Sequence, residues 1–195
     1  MRLFVAVNLP AEERAAIWRA AAPLREAELP VTWVPEGGLH ITIKFLGDVS
    51  EDSAGQVGAA LSDAVRDVRP FEVGIGGFGA FPNMERPRVV WCGVEHHPAL
   101  ELLANDVEQA LHPFNFTSDL QPFRPHVTLG RARKDAQARR LRRLAKDMGH
   151  LDYAGLIPVH SVDLMESTRG PDGSVYDVRH AARLAGAAGA MGGGR

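Results

Sequence analysis

The tetrapeptide pattern His-x-Thr-x occurs twice in this chain, as His40-Ile41-Thr42-Ile43 and as His126-Val127-Thr128-Leu129, each time inside a short apolar run. Side chains on a strand alternate between its two faces. Each run is therefore predicted to be a strand with an imidazole and a hydroxyl on one face and aliphatic anchors on the other. A chain with two such strands must build a sheet that is buried on one side and polar on the other, and a rigid sheet holds polar groups in fixed positions.

The flanking sequence supplies more strands and helices. Residues 2–9 (RLFVAVNL) read as a strand, and Pro10 with Glu12 and Glu13 opens a helix that runs to about residue 28. Val31 to Val34 and Leu39 to Leu46 flank the turn-forming Pro35-Glu36-Gly37-Gly38 and are expected to pair as a hairpin. Val57, Leu61, Val65 and Val68 have helical spacing over 51–68, and Leu100, Leu103, Val107 and Leu111 have it over 97–111. Strand character returns over 71–78, 88–94, 123–130, 155–165 and 174–178, with a basic helix over 135–148. The Gly-rich 74–79 segment reads as a bent or bulged strand, and Gly170-Pro171-Asp172-Gly173 as the turn of a final hairpin.

The two histidines lie 86 residues apart (126 minus 40), which suits two similar lobes better than a solenoid repeat. The predicted fold is α+β: two pseudo-twofold-related lobes, one from each half of the chain, each a mainly antiparallel sheet with helices packed outside, enclosing a central cleft. A single bilobal domain is expected over 1–184, followed by a flexible Gly/Ala-rich tail over 185–195.

At 195 residues the chain can bury a core without disulfides or metals. Its single cysteine, Cys92, excludes an intramolecular disulfide and every multi-cysteine zinc motif, and fits a reducing cytosol. The apolar start is short and runs through Asn8 into Pro10, unlike a signal peptide, and no apolar stretch approaches membrane-spanning length. A cytoplasmic monomer with no membrane partner is the expectation. With 22 basic and 24 acidic residues the net charge is -2, so any attraction to a polyanion must come from a local patch.

His-x-Thr offers one good metal ligand per motif and no Cys, Glu or third His at ligand spacing, so no metal is expected. No G-x-S-x-G elbow is present for a serine hydrolase. Paired general acid and base catalysis remains. Imidazoles with unperturbed pKa near ~6.5 can hold opposite protonation states near neutrality, and each positioned proton transfer is worth roughly a hundredfold to ten-thousandfold. Thr42 and Thr128 set a hydroxyl beside each imidazole, suited to a phosphoryl oxygen. Arg131, five residues after His126, adds a planar donor set for developing negative charge, provided that the strand ends or bulges at Gly130. Phe45 holds the same place after His40; it can stack on a base at the cleft edge, although alternation sends it to the core.

Other histidines (His96, His97, His112, His150, His160 and His180) lack a partnered Thr and read as structural or solvated. The stretch from Arg131 to Lys146 holds eight Lys or Arg against one Asp and reads as a solvated helix face in preference to an RNA track. One His-x-Thr alone reads as a surface pair on a strand; two in the same setting do not.

HITIKFLG and FRPHVTLGRAR, with RLFVAVNLP, TWVPEGGLH, GFGAFPN and ESTRGPDGSVYDV in the same order, resemble the 2H phosphoesterases over nearly the whole chain. Within that superfamily they resemble the bacterial and archaeal RNA 2′,3′-cyclic phosphodiesterases, once described as 2′-5′ RNA ligases. The resemblance implies a metal-free, cofactor-free hydrolase whose partners are RNA with 2′,3′-cyclic phosphate ends or nucleotide 2′,3′-cyclic phosphates, opened to 2′-phosphomonoesters. It implies that His126 is the proton acceptor that activates water and that His40 is the proton donor to the departing 3′-oxygen. Thr42, Thr128 and Arg131 match phosphate-contacting positions, and Phe45 matches an aromatic near the nucleobase. Ile43 stands where Leu is frequent and Gly130 where Ala is frequent, and neither touches the proposed chemistry. Two other readings are the same chemistry on small cyclic nucleotides, a cyclic ADP-ribose phosphate or 2′-5′ linkages (including reversible 2′-5′ ligation), and an RNA- or nucleotide-binding module without turnover. The presence of both histidines, both threonines and Arg131 speaks against the last.

Overall fold

A computed structural model describes residues 1–116, 122–136, 138–170 and 173–186. Over these the apolar alternation resolves into nine strands: β1 (Arg2–Asn8), β2 (Val31–Trp33), β3 (His40–Asp48), β4 (Phe71–Phe81), β5 (Val89–Val94), β6 (His126–Ala132), β7 (Ala154–Val159), β8 (Ser161–Gly170) and β9 (Gly173–Arg183). The helices are α1 (Ala11–Ala20), α2 (Ala22–Glu26), α3 (Glu51–Val65), α4 (Pro98–Leu111) and α5 (Ala138–Met148). The helix expected from Pro10 to about residue 28 is thus two helices that meet at Ala21, and the run from 155 to 165 is two strands.

The strands form one sheet in the order β7-β4-β5-β6-β3-β1-β8-β9, with β2 beside β6, and each pairing among the described residues is antiparallel. The sheet curls, and β3 meets β6 at its middle through Ile41 and Val127, the residues that follow the two motif histidines. The two pseudo-twofold-related halves of the sheet are therefore β3-β1-β8-β9 and β7-β4-β5-β6 with β2. These are not the two halves of the chain. β8 and β9, late in sequence, lie against β1, while β7 lies against β4.

The hairpin expected of residues 31–34 and 39–46 does not form. A short 3-10 turn over Glu36–Gly38 intervenes, β2 pairs with the C-terminal half of β6, and β3 pairs with β1 and with the start of β6. The final hairpin does form, with Gly170 opposite Gly173, and the turn residues 171 and 172 lie outside the described residues. Of the tail, residues 187–195 also lie outside them. Leu184 is buried and the Ala185 N–H donates to the Val68 carbonyl at 2.8 Å, so hydrogen bonding extends past the expected boundary.

One face of the sheet carries the core. α3 and α4 pack together, with α3 on β9 and α4 on β3, while α5 packs on β4 and α2. α3 begins at Ser50, whose side chain accepts the Ser53 N–H at 3.2 Å, with Glu51 and Asp52 in the first turn, where the helix dipole favours negative charge. α4 begins at His97, whose Nδ1 accepts the Ala99 N–H, and this gives that histidine a structural task. His180 likewise bonds the Ser62 hydroxyl through Nε2 at 2.7 Å. In α5 the apolar Leu141, Leu144 and Met148 are buried, which leaves Arg140, Arg142, Arg143 and Lys146 on the solvated face.

Two β-bulges govern the other face. In β3, Ala6 is opposite Thr42 but Val5 is opposite Lys44, so Ile43 is an extra residue. In β6, Trp91 is opposite Thr128 but Val90 is opposite Gly130, so Leu129 is extra. Each bulge reverses the alternation one residue after the motif threonine, since the residue it inserts has no partner in the ladder. Ile43 and Lys44 both face inward, as do Leu129 and Gly130, and the fifth positions, Phe45 and Arg131, swing back to the face of the histidines. Lys44 is 4 % exposed and pairs with Glu108 of α4 at 2.5 Å. The segment around Gly77 is irregular too, with a register shift between Ile75 and Phe78 and Gly77 at φ +69°, as its composition suggested.

Gly130 is sterically required where β2 crosses the bulge. A Cβ there would lie 2.6 Å from Cγ1 of Val31 and 2.7 Å from Cε3 of Trp33. Gly130→Ala is expected to destabilise the protein by about 1–3 kcal/mol through overpacking. Thermal denaturation measures this, and an unchanged midpoint would mean that β2 yields freely.

Candidate active site

Both motif histidines are half-buried on the concave face, and the backbone fixes them alike. His40 Nδ1 lies 2.8 Å from the Gly38 carbonyl, and His126 Nδ1 lies 2.7 Å from the Arg124 carbonyl, in each case two residues back. A carbonyl oxygen only accepts, so each Nδ1 must carry hydrogen and donate it. Nε2 is then the nitrogen left to exchange a proton, in both rings. The two rings differ at that atom. His40 Nε2 is 3.2 Å from the Thr42 hydroxyl, whereas no hydrogen bond engages His126 Nε2 among the described residues.

Aromatic rings wall in each imidazole. Phe4 lies 4.9 Å from His40 by ring centroids and Tyr176 lies 5.2 Å away, edge-on. Phe81 meets His126 edge-on at 5.0 Å, with Trp91 behind it and the Arg124 guanidinium over it. Phe4, Ala6 and Met165 form a small buried cluster beneath the His40 side, with Tyr176 packed on it. A Cβ on Gly38 would come within 2.9 Å of the Tyr176 ring, so this glycine lets the carbonyl that holds His40 approach closely.

The concave face opens into a cleft of about 640 Å³ that is lined by His40, Thr42, Thr128, Arg131 and Phe45. The fold thus gathers five of the six residues singled out from sequence into one cavity. His126 lines a second, smaller pocket with Phe81 and Trp91, and its charge still bears on His40. Phe45 is 52 % exposed, which overturns the core position that simple alternation gives it. Arg131 reaches the cleft because of the bulge at Leu129.

Both imidazoles are held below the ordinary histidine pKa. For His40 burial is the main cause; the Gly38 carbonyl opposes it, and the charges of Arg131 and His126 add to it. For His126 burial again leads, against the Arg124 carbonyl, with Arg131 adding to it. Both shifts favour the neutral ring, in which Nε2 carries a lone pair.

The sequence reading did not single out Phe4, Phe81 and Tyr176 beside the histidines, nor Arg2, Ser167, Arg169 and Ser174 in the cleft wall. The signal lay in the segments RLFVAVNLP, GFGAFPN and ESTRGPDGSVYDV, which contain all seven. What was lacking was the order of the strands that carry them. Cys92 lies on the core side of β5 and is fully buried, with its thiol pushed up to about 12 by burial. Among the described residues no group of three or more His, Cys, Asp or Glu side chains is arranged to hold a metal ion, and no helix is long and apolar enough to cross a membrane.

A curled antiparallel sheet with an H-x-T strand from each side defines an enzyme of the 2H phosphoesterase class. The chain belongs to the 2′-5′ RNA ligase superfamily, whose family model matches residues 13–171. It is 31% identical to an RNA 2′,3′-cyclic phosphodiesterase of Methanothermobacter thermautotrophicus over 94% of this chain and 99% of that one. It is 34% identical to one of Aeropyrum pernix over 80% of this chain and 88% of the relative. Among solved structures, a Thermus thermophilus protein superimposes with a TM-score of 0.78 at 30% identity, covering 94% of this chain and 98% of that chain. LigT of Escherichia coli complexed with 3′-AMP superimposes with a TM-score of 0.71 at 26% identity, covering 94% and 97%.

Proposed function

We propose that this cleft hydrolyses 2′,3′-cyclic phosphate ends of RNA to 2′-phosphomonoesters, with His126 as proton acceptor and His40 as proton donor. The observation that carries this reading is the matched anchoring of the two imidazoles. Each is tied through Nδ1 to a carbonyl, which leaves two Nε2 atoms available on a face that also bears Thr42, Thr128 and Arg131. The names of the relatives, RNA 2′,3′-cyclic phosphodiesterase, and the 3′-AMP bound by LigT support a nucleotide phosphodiester as the substrate class.

The steps balance without a further reactant. Nε2 of His126 takes a proton from water as the water oxygen attacks phosphorus. The P–O3′ bond breaks, and O3′ receives the proton carried by Nε2 of His40. The threonine hydroxyls donate to the non-bridging oxygens, and Arg131 adds charge-assisted donors as negative charge accumulates there. The open Nε2 of His126 suits the base, since its lone pair meets no donor among the described residues. The Nε2 of His40, which shares a hydrogen bond with Thr42, suits a group whose proton must be aimed.

The test uses an oligoribonucleotide ending in a 2′,3′-cyclic phosphate, with chromatographic resolution of 2′- from 3′-monophosphate ends. A 2′-phosphate is expected, at a rate unchanged by EDTA because both proton transfers use side chains. A 3′-phosphate product would reverse the leaving oxygen. Loss of the rate in EDTA would require a metal to activate the water.

A further inference from the structure

We propose that the far end of the cleft, built on Arg169 of β8 and Arg2 of β1, is a subsite for the phosphodiester backbone upstream of the terminal nucleotide. The enzyme then favours cyclic phosphate ends carried by an oligonucleotide over the free mononucleotide. This rests on the cyclic-phosphate reading above and specifies how the rest of the substrate is held.

The cleft is longer than the chemistry needs. It follows β3 from His40 past Thr42 and Phe45 to Gly47. Those seven steps (47 minus 40), shortened by two bulges, span roughly 15–20 Å at about 3.3 Å per residue. Stacked nucleotides advance about 3.4 Å each along a strand of nucleic acid, so this length exceeds one nucleotide. His40, Thr42, Thr128 and Arg131 stand at one end and Phe45 follows them. Arg2 lies on β1 beside the far end of β3, its backbone partner being Asp48. Arg169 lies near the tip of the β8–β9 hairpin, opposite Ser174, and three residues beyond Glu166, the partner of Leu3. The hydroxyls of Ser167 and Ser174 line the same wall.

The electrostatics single out this end. In a chain of net charge -2, three guanidiniums and no carboxylate line the cleft among the described residues. No ion pair engages Arg2, Arg131 or Arg169 there, Asp48 included. Guanidiniums left facing an open groove beside hydroxyls are suited to a backbone of phosphates, which Arg recognises through its fork of donors. The pocket on the other side, beyond His126, does not carry one sign of charge: it holds Glu101, which pairs with His96 at 3.1 Å.

Two measurements test the subsite. The first compares kcat/KM for a cyclic-phosphate-ended tetranucleotide and for a nucleoside 2′,3′-cyclic phosphate, in the wild type and in Arg2→Ala, Arg169→Ala and the double variant. The wild type is expected to prefer the tetranucleotide, and each substitution to cut that preference about threefold to tenfold, the size of an exposed charge-assisted contact. The second follows anisotropy of the labelled tetranucleotide in a His126→Ala background, so that binding is read without turnover. The slope of log affinity against log salt should become shallower by about 0.7 for each arginine removed. Equal losses on both substrates would assign these arginines to the terminal phosphate, and no change in preference or slope would remove them from recognition. If the wild type bound the tetranucleotide with this salt dependence but hydrolysed neither substrate, the catalytic reading would fall and the subsite would stand.

Discussion

His126→Ala is expected to lower kcat/KM on a cyclic-phosphate-ended oligonucleotide by about a hundredfold to ten-thousandfold and to abolish the acid limb of its pH profile. His40→Ala should cost a similar factor but abolish the alkaline limb. The sign follows from the proposed roles. A base works only when neutral, so the rate it limits falls as pH drops through its pKa. An acid works only when protonated, so the rate it limits falls as pH rises through its pKa. The wild-type profile is therefore a bell, and each variant should keep the limb that belongs to the surviving histidine. Exchange of the two limbs would interchange acid and base, while near wild-type rates in either variant would remove that histidine from the chemistry.

These roles depend on geometry that was only partly legible in the sequence. The motif strands, the α3 and α4 faces and the last hairpin could be read because each is set by local periodicity or turn chemistry. Arg131 could be placed in the cleft only by requiring an irregular strand near Gly130, and the bulge at Leu129 supplies it. Phe45 is the instructive contrast. Alternation through HITIKF sends it to the core, yet the equivalent bulge at Ile43 turns Lys44 inward to Glu108 of α4 and Phe45 outward. The pseudo-twofold relation places the two bulges at matching positions, so the irregularity needed at one motif was available as a guide to the other. The strand order was not legible, because β1 with β8 and β2 with β6 pair residues far apart in sequence whose choice of partner is made by tertiary packing. For that reason the sequence reading did not set Tyr176 beside His40 or Arg169 in the cleft.

The same bulge gives Arg131 two effects that one series of substitutions separates. Its guanidinium lines the cleft with His40, Thr42 and Thr128; in the proposed mechanism it donates to the phosphoryl oxygens, and loss of a donor to developing charge typically costs a hundredfold to a thousandfold, so Arg131→Gln should lower kcat by about 10² or more. Its charge also adds to the lowering of both imidazole pKa values, which burial begins. With both pKa values below ~6.5, the kcat/KM bell of the wild type should centre on the acid side of that value. Removing the positive charge relieves part of the depression on both rings, so the whole bell in Arg131→Gln should move to higher pH. Arg131→Lys keeps the charge and loses the planar fork. It should leave the bell near its wild-type position while lowering the rate, and a bell that moved equally in both variants would mean that orientation, and not charge, sets the histidine pKa values. The anionic substrate acts in the opposite sense to Arg131. A bound phosphodiester brings negative charge against the two rings and raises their proton affinity, so the kcat profile of the bound enzyme should lie at higher pH than that of kcat/KM. Arrival of the phosphate would thus favour on His40 the proton that it must donate.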